Sequence, residues 1–270
     1  MWGQSAGLPL PNRIMSRKRV GLALSGGVAR GVIHVGVLNV LEKAGIPIDY
    51  VAGTSAGSIV GAAYCAGLPV AEILEKASGM GWRQMAQLKW PGHGIVSFER
   101  LERWLEELIG DVDIRDLAIP LTVVTTDLQT GETVALHSGR LATAVRASSS
   151  VPGVIEPVLI NGRLLGDGGV SNNLPVDVVR DMGADYVIAV DLFARDGSGM
   201  PGNPVTHGLV ALETLIRKSG GHPAEADCLI QPLIGGYDYL NFSKSAEYVA
   251  AGEAAATKML AKIQQDLMEN

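Results

Sequence analysis

The chain predicts an α/β fold with three layers, in which a mostly parallel central sheet is covered by helices on both faces. Apolar runs of strand length alternate with segments of helical periodicity along almost all of the 270 residues. Aromatic residues make up only 5% of the chain, and its 34 glycines accompany many alanines, valines and leucines. Small apolar residues of this kind are typical of parallel strands that helices cover closely.

Composition places the chain among globular proteins and excludes several classes of function. Hydrophobic residues make up 47% of the chain, and the net charge is −6 with no basic block that would bind nucleic acid. No uninterrupted apolar window reaches the ~18 residues that a membrane-spanning helix needs. We expect one domain over residues 19–270 behind a flexible lead-in over residues 1–18, which lacks the apolar run of a secretory signal.

Cysteine usage indicates the compartment. Cys65 and Cys228 lie far apart in the sequence, which favours two buried thiols in a reducing environment over a disulfide. We therefore expect a cytoplasmic protein. No cluster of histidine, cysteine and aspartate has the spacing of metal ligands, so neither a metal nor another cofactor is expected.

The first predicted strand covers residues 20–24 and leads into the turn Ser25-Gly26-Gly27-Val28-Ala29-Arg30-Gly31, after which a buried helix runs to Lys43. Adjacent N–H groups at such a helix N-terminus can hold either a phosphate or the oxyanion of acyl transfer. The dinucleotide-binding pattern requires glycine where Val28 stands. The turn Gly26-Gly27-Val28 therefore favours an oxyanion hole over dinucleotide binding.

The second predicted strand, 48–53, runs into Gly53-Thr54-Ser55-Ala56-Gly57, and small apolar residues follow at helical spacing as far as Gly67. A serine at a sharp strand-to-helix turn is typical of a nucleophile elbow, in which Gly53 and Gly57 prevent steric collision. The N-terminus of the following helix favours negative charge beside Ser55. Because the pattern is short, a tight turn with a spare hydroxyl is the alternative interpretation.

The remaining elements continue the alternation. Helices are predicted over 71–78, 99–109, 140–149, 175–182, 205–218 and 243–267. Strands are predicted over 119–126, 132–137, 164–165, 186–192 and 228–231, of which 132–137 is the hairpin partner of 119–126. A loop is predicted over 197–204. The segment Gly79–Gly94 differs, because glycines surround Trp82, Met85, Leu88 and Trp90. It predicts a short amphipathic helix that either packs on the flank of the domain or forms a lid or lipid-facing flap, with peripheral membrane contact.

A serine hydroxyl is a weak nucleophile until a base accepts its proton, and histidine is the common base. The chain contains five histidines: His34, His93, His137, His207 and His222. Only His207 and His222 fit the chain order of an α/β-hydrolase triad, and neither follows a strong strand. His34 lies in the middle of an apolar helix, where a buried structural histidine is the better interpretation.

A carboxylate is the alternative base. Asp167 ends a short strand, and Gly168 and Gly169 after it allow a second backbone to approach closely. An aspartate becomes an effective base when it is partly desolvated and hydrogen-bonded to the serine. An ordinary Asp-Gly turn is the other interpretation of the same residues.

Three motifs occur in the order Ser-Gly-Gly-Val-Ala-Arg-Gly, Gly-Thr-Ser-Ala-Gly and Asp-Gly-Gly, and together they resemble the patatin-like phospholipase family. The similarity extends from about residue 19 to residue 267, and compact bacterial members, the RssA-like group, are similar in length. The matching runs are 23–38, 51–63, 126–131, 146–153 and 167–175. Each motif alone is modest, but their order over most of the chain is specific.

The resemblance implies a lipid acyl hydrolase with a Ser–Asp dyad and without a catalytic histidine. Ser55 matches the nucleophile, Asp167 matches the base, and Arg30 matches the basic residue that closes the oxyanion turn. The implied activity is cleavage of carboxylic ester bonds in phospholipids or related lipids, as in a phospholipase A or a lysophospholipase. A soluble short-chain esterase or thioesterase is one alternative, and a regulatory protein with weak activity on the same scaffold is another.

Two positions depart from the family pattern. Ser25 stands where the family usually has glycine, and Val28 replaces a common third glycine. Backbone N–H groups are the donors of an oxyanion hole, so valine costs little if its φ is negative. If the position requires a positive φ, we expect a distorted hole and weak activity.

Overall fold

The computed structural model describes residues 17–89, 95–193, 207, 211, 213–220, 222–234 and 241–269. The strands are β1 Val20–Leu24, β2 Tyr50–Thr54, β3 Gln87–Leu88, β4 Val96–Ser97, β5 Leu121–Asp127, β6 Thr133–Leu136, β7 Val158–Ile160, β8 Arg163–Asp167, β9 Tyr186–Val190 and β10 Cys228–Ile230. The helices are α1 Val32–Lys43, α2 Ala56–Cys65, α3 Val70–Ser78, α4 Trp82–Met85, α5 Glu99–Ile109, α6 Leu141–Ser148, α7 Val176–Asp181 and α8 Ser245–Met268.

Within the described residues, the central sheet has eight strands in the order β10-β9-β1-β2-β5-β8-β7, with β6 paired to β5. The strands from β10 to β5 are parallel, whereas β6 and β8 are antiparallel to β5. Parallel neighbours that are joined through helices produce the α/β arrangement. The predicted fold class is therefore confirmed, with an antiparallel arm added at the β5 edge.

Side-chain size alternates along the inner strands and separates the two faces of the sheet. On β1, Leu22 and Leu24 face the larger hydrophobic core, whereas Ala23 faces the smaller one. Ile188 and Ala189 of β9 alternate in the same way. Since successive strand residues point to opposite faces, large residues pack under α1, α2 and α8, and small ones let α7 approach closely.

Most predicted elements in the described part of the chain are present within a few residues. The helix at 99–109 and the strand at 20–24 have the predicted bounds, while the predicted strand 48–53 is observed at Tyr50–Thr54. The short strands β3, β4 and β7 were not predicted, because their own two or three residues show no clear alternation.

Several predictions fall wholly or partly outside the described residues. These are the lead-in up to residue 16, residues 90–94 of the segment Gly79–Gly94 and the loop 197–204. Within the predicted helix 205–218, residues 207, 211 and 213–216 are described and are helical. The assignment of a single domain stays a prediction. Across the described helices, none is both long and apolar enough to cross a membrane.

Candidate active site

Ser55 lies at the corner between β2 and α2 in a backbone conformation that serine rarely adopts. Its φ is 51° and its ψ is −120°, and the residue is 8% exposed. Its N–H donates to Ser148 Oγ at 2.8 Å, which holds the corner in place. Backbone strain of this kind costs about 1–3 kcal/mol and persists where the surrounding structure enforces it, often at functional sites.

Asp167 ends β8 and is almost completely buried, with 5% of its surface exposed. Burial raises the pKa of its carboxyl to about 6, while hydrogen bonding from the Gly169 N–H and from the Ser55 hydroxyl acts in the opposite direction. The Gly169 N–H donates to Oδ1 at 2.8 Å. The Ser55 hydroxyl is therefore close enough to the Asp167 carboxylate to influence its pKa.

The sheet brings these two residues together through β5. Strand β6 occupies one edge of β5, so β2 and β8 share the other edge from opposite directions. Gly168 makes this meeting sterically feasible, because a Cβ at that position would lie 2.3 Å from Val124 O. A Cβ at Gly57 would lie 2.3 Å from Leu24 O, so α2 also begins in close contact with the end of β1.

Hydrogen bonds fix the peptide planes of the glycine turn. Ser25 O accepts from His34 Nε2 at 2.8 Å, and the Gly26 N–H of the same peptide donates to Asn173 Oδ1 at 3.2 Å. Gly26 O accepts from Ser25 Oγ at 3.0 Å, and Gly27 O accepts from the Arg30 N–H at 3.0 Å. In a trans peptide the N–H points away from the carbonyl, so these bonds direct the N–H groups of Gly27 and Val28.

The two N–H groups of Gly27 and Val28 have no protein acceptor within the described part of the chain. They are therefore the candidate oxyanion donors of the turn. The Gly26 N–H, which we predicted as a third donor, is already engaged by Asn173. Arg30 is completely buried below the turn, where its Nη1 donates to Leu192 O at 3.4 Å.

The two departures from the family pattern have different outcomes. Ser25 strengthens the turn, because its hydroxyl donates to Gly26 O and accepts from the Leu192 N–H at 3.0 Å. Val28 has a φ of 52°, so the condition under which valine costs little is not met. A β-branched residue is strongly disfavoured in the left-handed region, since its branches crowd the backbone there.

Three polar residues in the site were missed by sequence reasoning. Ser148 accepts from the Ser55 N–H and donates to Val124 O at 2.6 Å. Thr54 Oγ1 donates to Asn172 O at 3.0 Å, which ties the serine motif to the segment after Asp167, and Asn173 braces the glycine turn. Ser148 and Asn173 lie in runs that match the family pattern, which was the only available signal for them.

The histidine candidates do not form a triad with Ser55 in the described part of the chain. His34 is completely buried, and burial lowers the pKa of its imidazole to about 4, so the ring is neutral at pH 7. His207 and His222 are exposed, and neither contacts Ser55 or Asp167 among the described contacts. His93 lies outside the described residues.

Ser55 opens onto an apolar cavity of about 260 Å³. One face of α2 lines it from Ser55 to Ala63, and a helix rises 1.5 Å per residue, so the cavity extends about 12 Å from the serine. Helices α3, α4 and α5, the loop after α6, residues 28–32 of the glycine turn and the start of α1, and Phe242 provide the other walls. The lining includes Val60, Ile73, Ala77, Met85, Trp104, Leu108, Val151 and Ile155.

The predicted lid segment Gly79–Gly94 contributes directly to the cavity wall. Met80, Trp82 and Met85 line the cavity. The Trp82 ring packs edge-on against Phe242 at 5.5 Å between centroids and lies 6.5 Å from the Phe98 ring. These three residues of the segment therefore form part of the wall of the cavity that contains Ser55.

Comparison with known proteins gives a consistent family signal. A family model described as patatin-like phospholipase matches residues 22–180. The chain is 35% identical over 197 residues to neuropathy target esterase sws of Drosophila melanogaster, covering 70% of this chain and 14% of that protein. It is 31% identical to lysophospholipase nte1 of Aspergillus fumigatus, covering 94% of this chain and 19% of that protein.

An uncharacterised NTE family protein of Mycobacterium tuberculosis is 39% identical over 180 residues, covering 66% of this chain and 50% of that protein. The chain thus spans half or less of the length of these curated relatives. Among solved structures, VipD from Legionella pneumophila has a TM-score of 0.65 at 14% identity, covering 92% of this chain and 67% of VipD. The type III effector ExoU has a TM-score of 0.53 at 12% identity, covering 92% of this chain and 53% of the ExoU chain. At these identities the structural likeness concerns the fold alone.

Proposed function

The chain belongs to the patatin-like phospholipase family, and on that premise we propose that it hydrolyses carboxylic esters of lipids with Ser55 and Asp167 as a catalytic dyad. The observation that carries this proposal is the combination of a strained serine, a buried carboxylate within reach of it and an apolar cavity that begins at the serine. Relatives named as esterases and lysophospholipases support the same reaction class.

In the proposed mechanism, Asp167 accepts the proton of the Ser55 hydroxyl while Ser55 Oγ attacks the ester carbonyl. A pKa of about 6 leaves Asp167 mostly ionised at pH 7, yet makes it a far better base than a solvated aspartate. The alcohol leaves with a proton from Asp167, and an acyl-enzyme remains on Ser55. Asp167 then deprotonates a water molecule, which attacks the acyl-enzyme. As the fatty acid leaves, Asp167 returns this proton to Ser55 Oγ, which restores the starting hydroxyl and carboxylate.

The negative charge of the tetrahedral intermediate requires donors that are already oriented. The N–H groups of Gly27 and Val28 serve this role in the proposal, since their own peptide carbonyls are held by other groups. Loss of one oxyanion donor typically costs on the order of 10²–10³ in rate. The N-terminus of α2 adds a favourable dipole at Ser55.

The shape and lining of the cavity favour binding of the acyl chain of the substrate. Its walls are formed almost entirely by aliphatic and aromatic side chains, and it runs for about 12 Å along α2. An alkyl chain gains about 0.8 kcal/mol for each methylene buried, so a cavity of this length favours chains of medium or greater length over acetate. We propose that one acyl chain occupies it with its carbonyl at Ser55.

Peripheral membrane contact through the segment Gly79–Gly94 forms part of the proposal. Leu88 is 85% exposed, and Ile95 and Val154 beside it are about half exposed. Trp82, at the cavity wall, is also partly exposed. Apolar and aromatic side chains around the entrance to a lipid cavity would enter the lipid interface and allow a chain to leave the bilayer.

The test is hydrolysis of p-nitrophenyl esters of increasing chain length, followed by lysophospholipid and diacyl phospholipid, by the wild type and by Ser55→Ala. We expect kcat/KM to rise with chain length and to fall by at least about 10³ in Ser55→Ala. Rates that fall as the chain lengthens would favour a soluble short-chain esterase. Wild-type turnover in Ser55→Ala would refute the proposed nucleophile.

A further inference from the structure

Val28 combines an unfavourable backbone conformation with a position on the wall of the cavity. Four non-glycine residues in the described part of the chain have a positive φ: Val28, Ser55, Asn161 and His222. Asparagine and histidine tolerate this region comparatively well, whereas a β-branched residue does not. Val28 is the one β-branched member of this set, and it shares the cavity with Ser55.

The turn that carries Val28 is packed against the nucleophile. A Cβ at Gly26 would lie 3.2 Å from Ser55 Cβ, and a Cβ at Gly31 would lie 2.8 Å from Ala56 Cβ. Val28 lies between these two contacts. Because the glycines on both sides of Val28 contact Ser55 and Ala56 at the start of α2, the Val28 side chain lines the cavity on the side of Ser55, whereas Ala63 lies two helical turns further along α2.

Glycine at this position would remove the strain without loss of the backbone N–H. The N–H of residue 28 is independent of the side chain, so valine contributes nothing to the oxyanion hole that glycine could not provide. What valine adds over glycine is an isopropyl group on the wall of the cavity that also contains Ser55. Strain that is retained at a functional site is expected to serve the site.

We propose that Val28 determines acyl specificity by narrowing the cavity where the first carbons of the acyl chain must lie, so that straight chains are accepted and chains branched next to the carbonyl are rejected. This inference rests on the proposed ester hydrolysis at Ser55. One methyl group in an apolar pocket typically changes discrimination by about 10–200-fold. The Val28 side chain thus acts on the choice of substrate, while the Val28 N–H keeps its role as an oxyanion donor.

The test compares the wild type with Val28→Gly, Val28→Ala and Val32→Ala on two p-nitrophenyl esters of equal chain length, one straight and one methyl-branched next to the carbonyl. Val32 lines the same cavity, but its φ of −63° is helical and unstrained. We expect the straight-over-branched ratio of kcat/KM to fall at least about tenfold in Val28→Gly and partly in Val28→Ala. In Val32→Ala, kcat/KM should change by the same factor for the straight and the branched ester, so that their ratio stays at the wild-type value.

Thermal unfolding provides a second readout. Val28→Gly relieves the positive φ, so its Tm should equal or exceed that of the wild type, whereas Val32→Ala should lower Tm through lost burial. A ratio within twofold of the wild type in both Val28 variants would overturn the specificity inference while ester hydrolysis stands. If the wild type cleaves no ester and a fluorophosphonate does not modify Ser55, the proposed function fails, and the inference fails with it.

Discussion

Thr54 and Asp167 lie opposite adjacent residues of β5: Thr54 pairs with Val124 and Asp167 pairs with Thr125. Strand β2 therefore ends where antiparallel β8 arrives, on the same edge of β5. Ser55 directly follows Thr54 and therefore lies at this junction. The proximity of Ser55 and Asp167 is thus a property of the sheet register, and it does not depend on a flexible loop.

Replacement of Asp167 by asparagine should abolish activity and stabilise the protein above pH 6. Burial raises the pKa of Asp167 from its usual 3.8 to about 6, so its ionisation lowers the free energy of unfolding as pH rises through this range. This shift in the pKa of Asp167 corresponds to about 3 kcal/mol in the free energy of unfolding above pH 6. The asparagine side chain in Asp167→Asn would stay neutral and could still accept from the Gly169 N–H.

Denaturant unfolding at about pH 4 and about pH 8 measures this effect, with little difference expected at the lower pH. Asp127→Asn is the matched control. Asp127 is also a buried aspartate at a strand end, and its Oδ1 accepts from the Gln129 N–H at 2.9 Å, but it lies outside the proposed dyad. Ester hydrolysis that survives in Asp167→Asn and disappears in Asp127→Asn would contradict the assignment.

Asn173→Asp should move the acid limb of the pH–rate profile to higher pH. Asp167 Oδ1 and Asn173 Oδ1 lie 3.0 and 3.1 Å from the point where a Gly169 Cβ would be, so the two oxygens are at most 6.1 Å apart. A second negative charge at that distance opposes ionisation of Asp167 and raises its pKa. The wild type should show an apparent pKa near 6 in kcat/KM, and the variant should show a value about one unit higher.

The control is Asn173→Ala, which removes the acceptor of the Gly26 N–H without adding charge. Its kcat should fall while the acid limb stays near 6. If Asn173→Asp left the limb unmoved and kept a high rate, Asp167 would not be the titrating base.

Ser148→Ala should lower kcat by a larger factor than it changes KM. The variant leaves the buried Ser55 N–H without its 2.8 Å acceptor, at a cost of about 1–3 kcal/mol in the free energy of unfolding. A misplaced nucleophile loses up to about 10² in rate. Ser150→Ala is the comparison, because Ser150 is equally buried but its hydroxyl donates to Arg146 O. Equal losses of kcat in the two variants would show that Ser148 has no specific role.

Leu88→Asp should weaken the hydrolysis of lipid vesicles and leave soluble esters unaffected. Leu88 is 85% exposed, so the charge costs little stability but opposes entry of the segment Gly79–Gly94 into a lipid interface. Met268→Asp is the matched control, since Met268 is 75% exposed and lies at the end of α8 beside the start of β1. Sedimentation with vesicles measures binding, and a similar loss in both variants would argue against a dedicated lipid-facing segment.

Local patterns predicted the elements that depend on local chemistry. The apolar run Val20–Leu24 and the amphipathic helix Glu99–Ile109 were predicted with their observed bounds. The register that brings β8 to the end of β2 was not predictable, because strand pairing across 40 residues or more leaves no trace in local periodicity.

The site was predictable only in part for a related reason. Ser55 and Asp167 lie in glycine-containing motifs that indicate tight turns, so both residues could be identified as candidates from the sequence. Ser148 and Asn173 are ordinary polar residues whose roles arise from contacts with distant backbone groups. The backbone of Val28 likewise could not be inferred from its side chain, which favours a negative φ.

Activation of Ser55 by Asp167 can be measured directly as the rate at which a fluorophosphonate modifies the protein at different pH values. We expect a single adduct on Ser55, located by peptide mass spectrometry, with a rate of modification that rises through an apparent pKa near 6. In Asp167→Asn the rate should fall by at least about 10² and lose this pH dependence. An adduct on another residue, or an unchanged rate and pH dependence in Asp167→Asn, would contradict activation of Ser55 by Asp167.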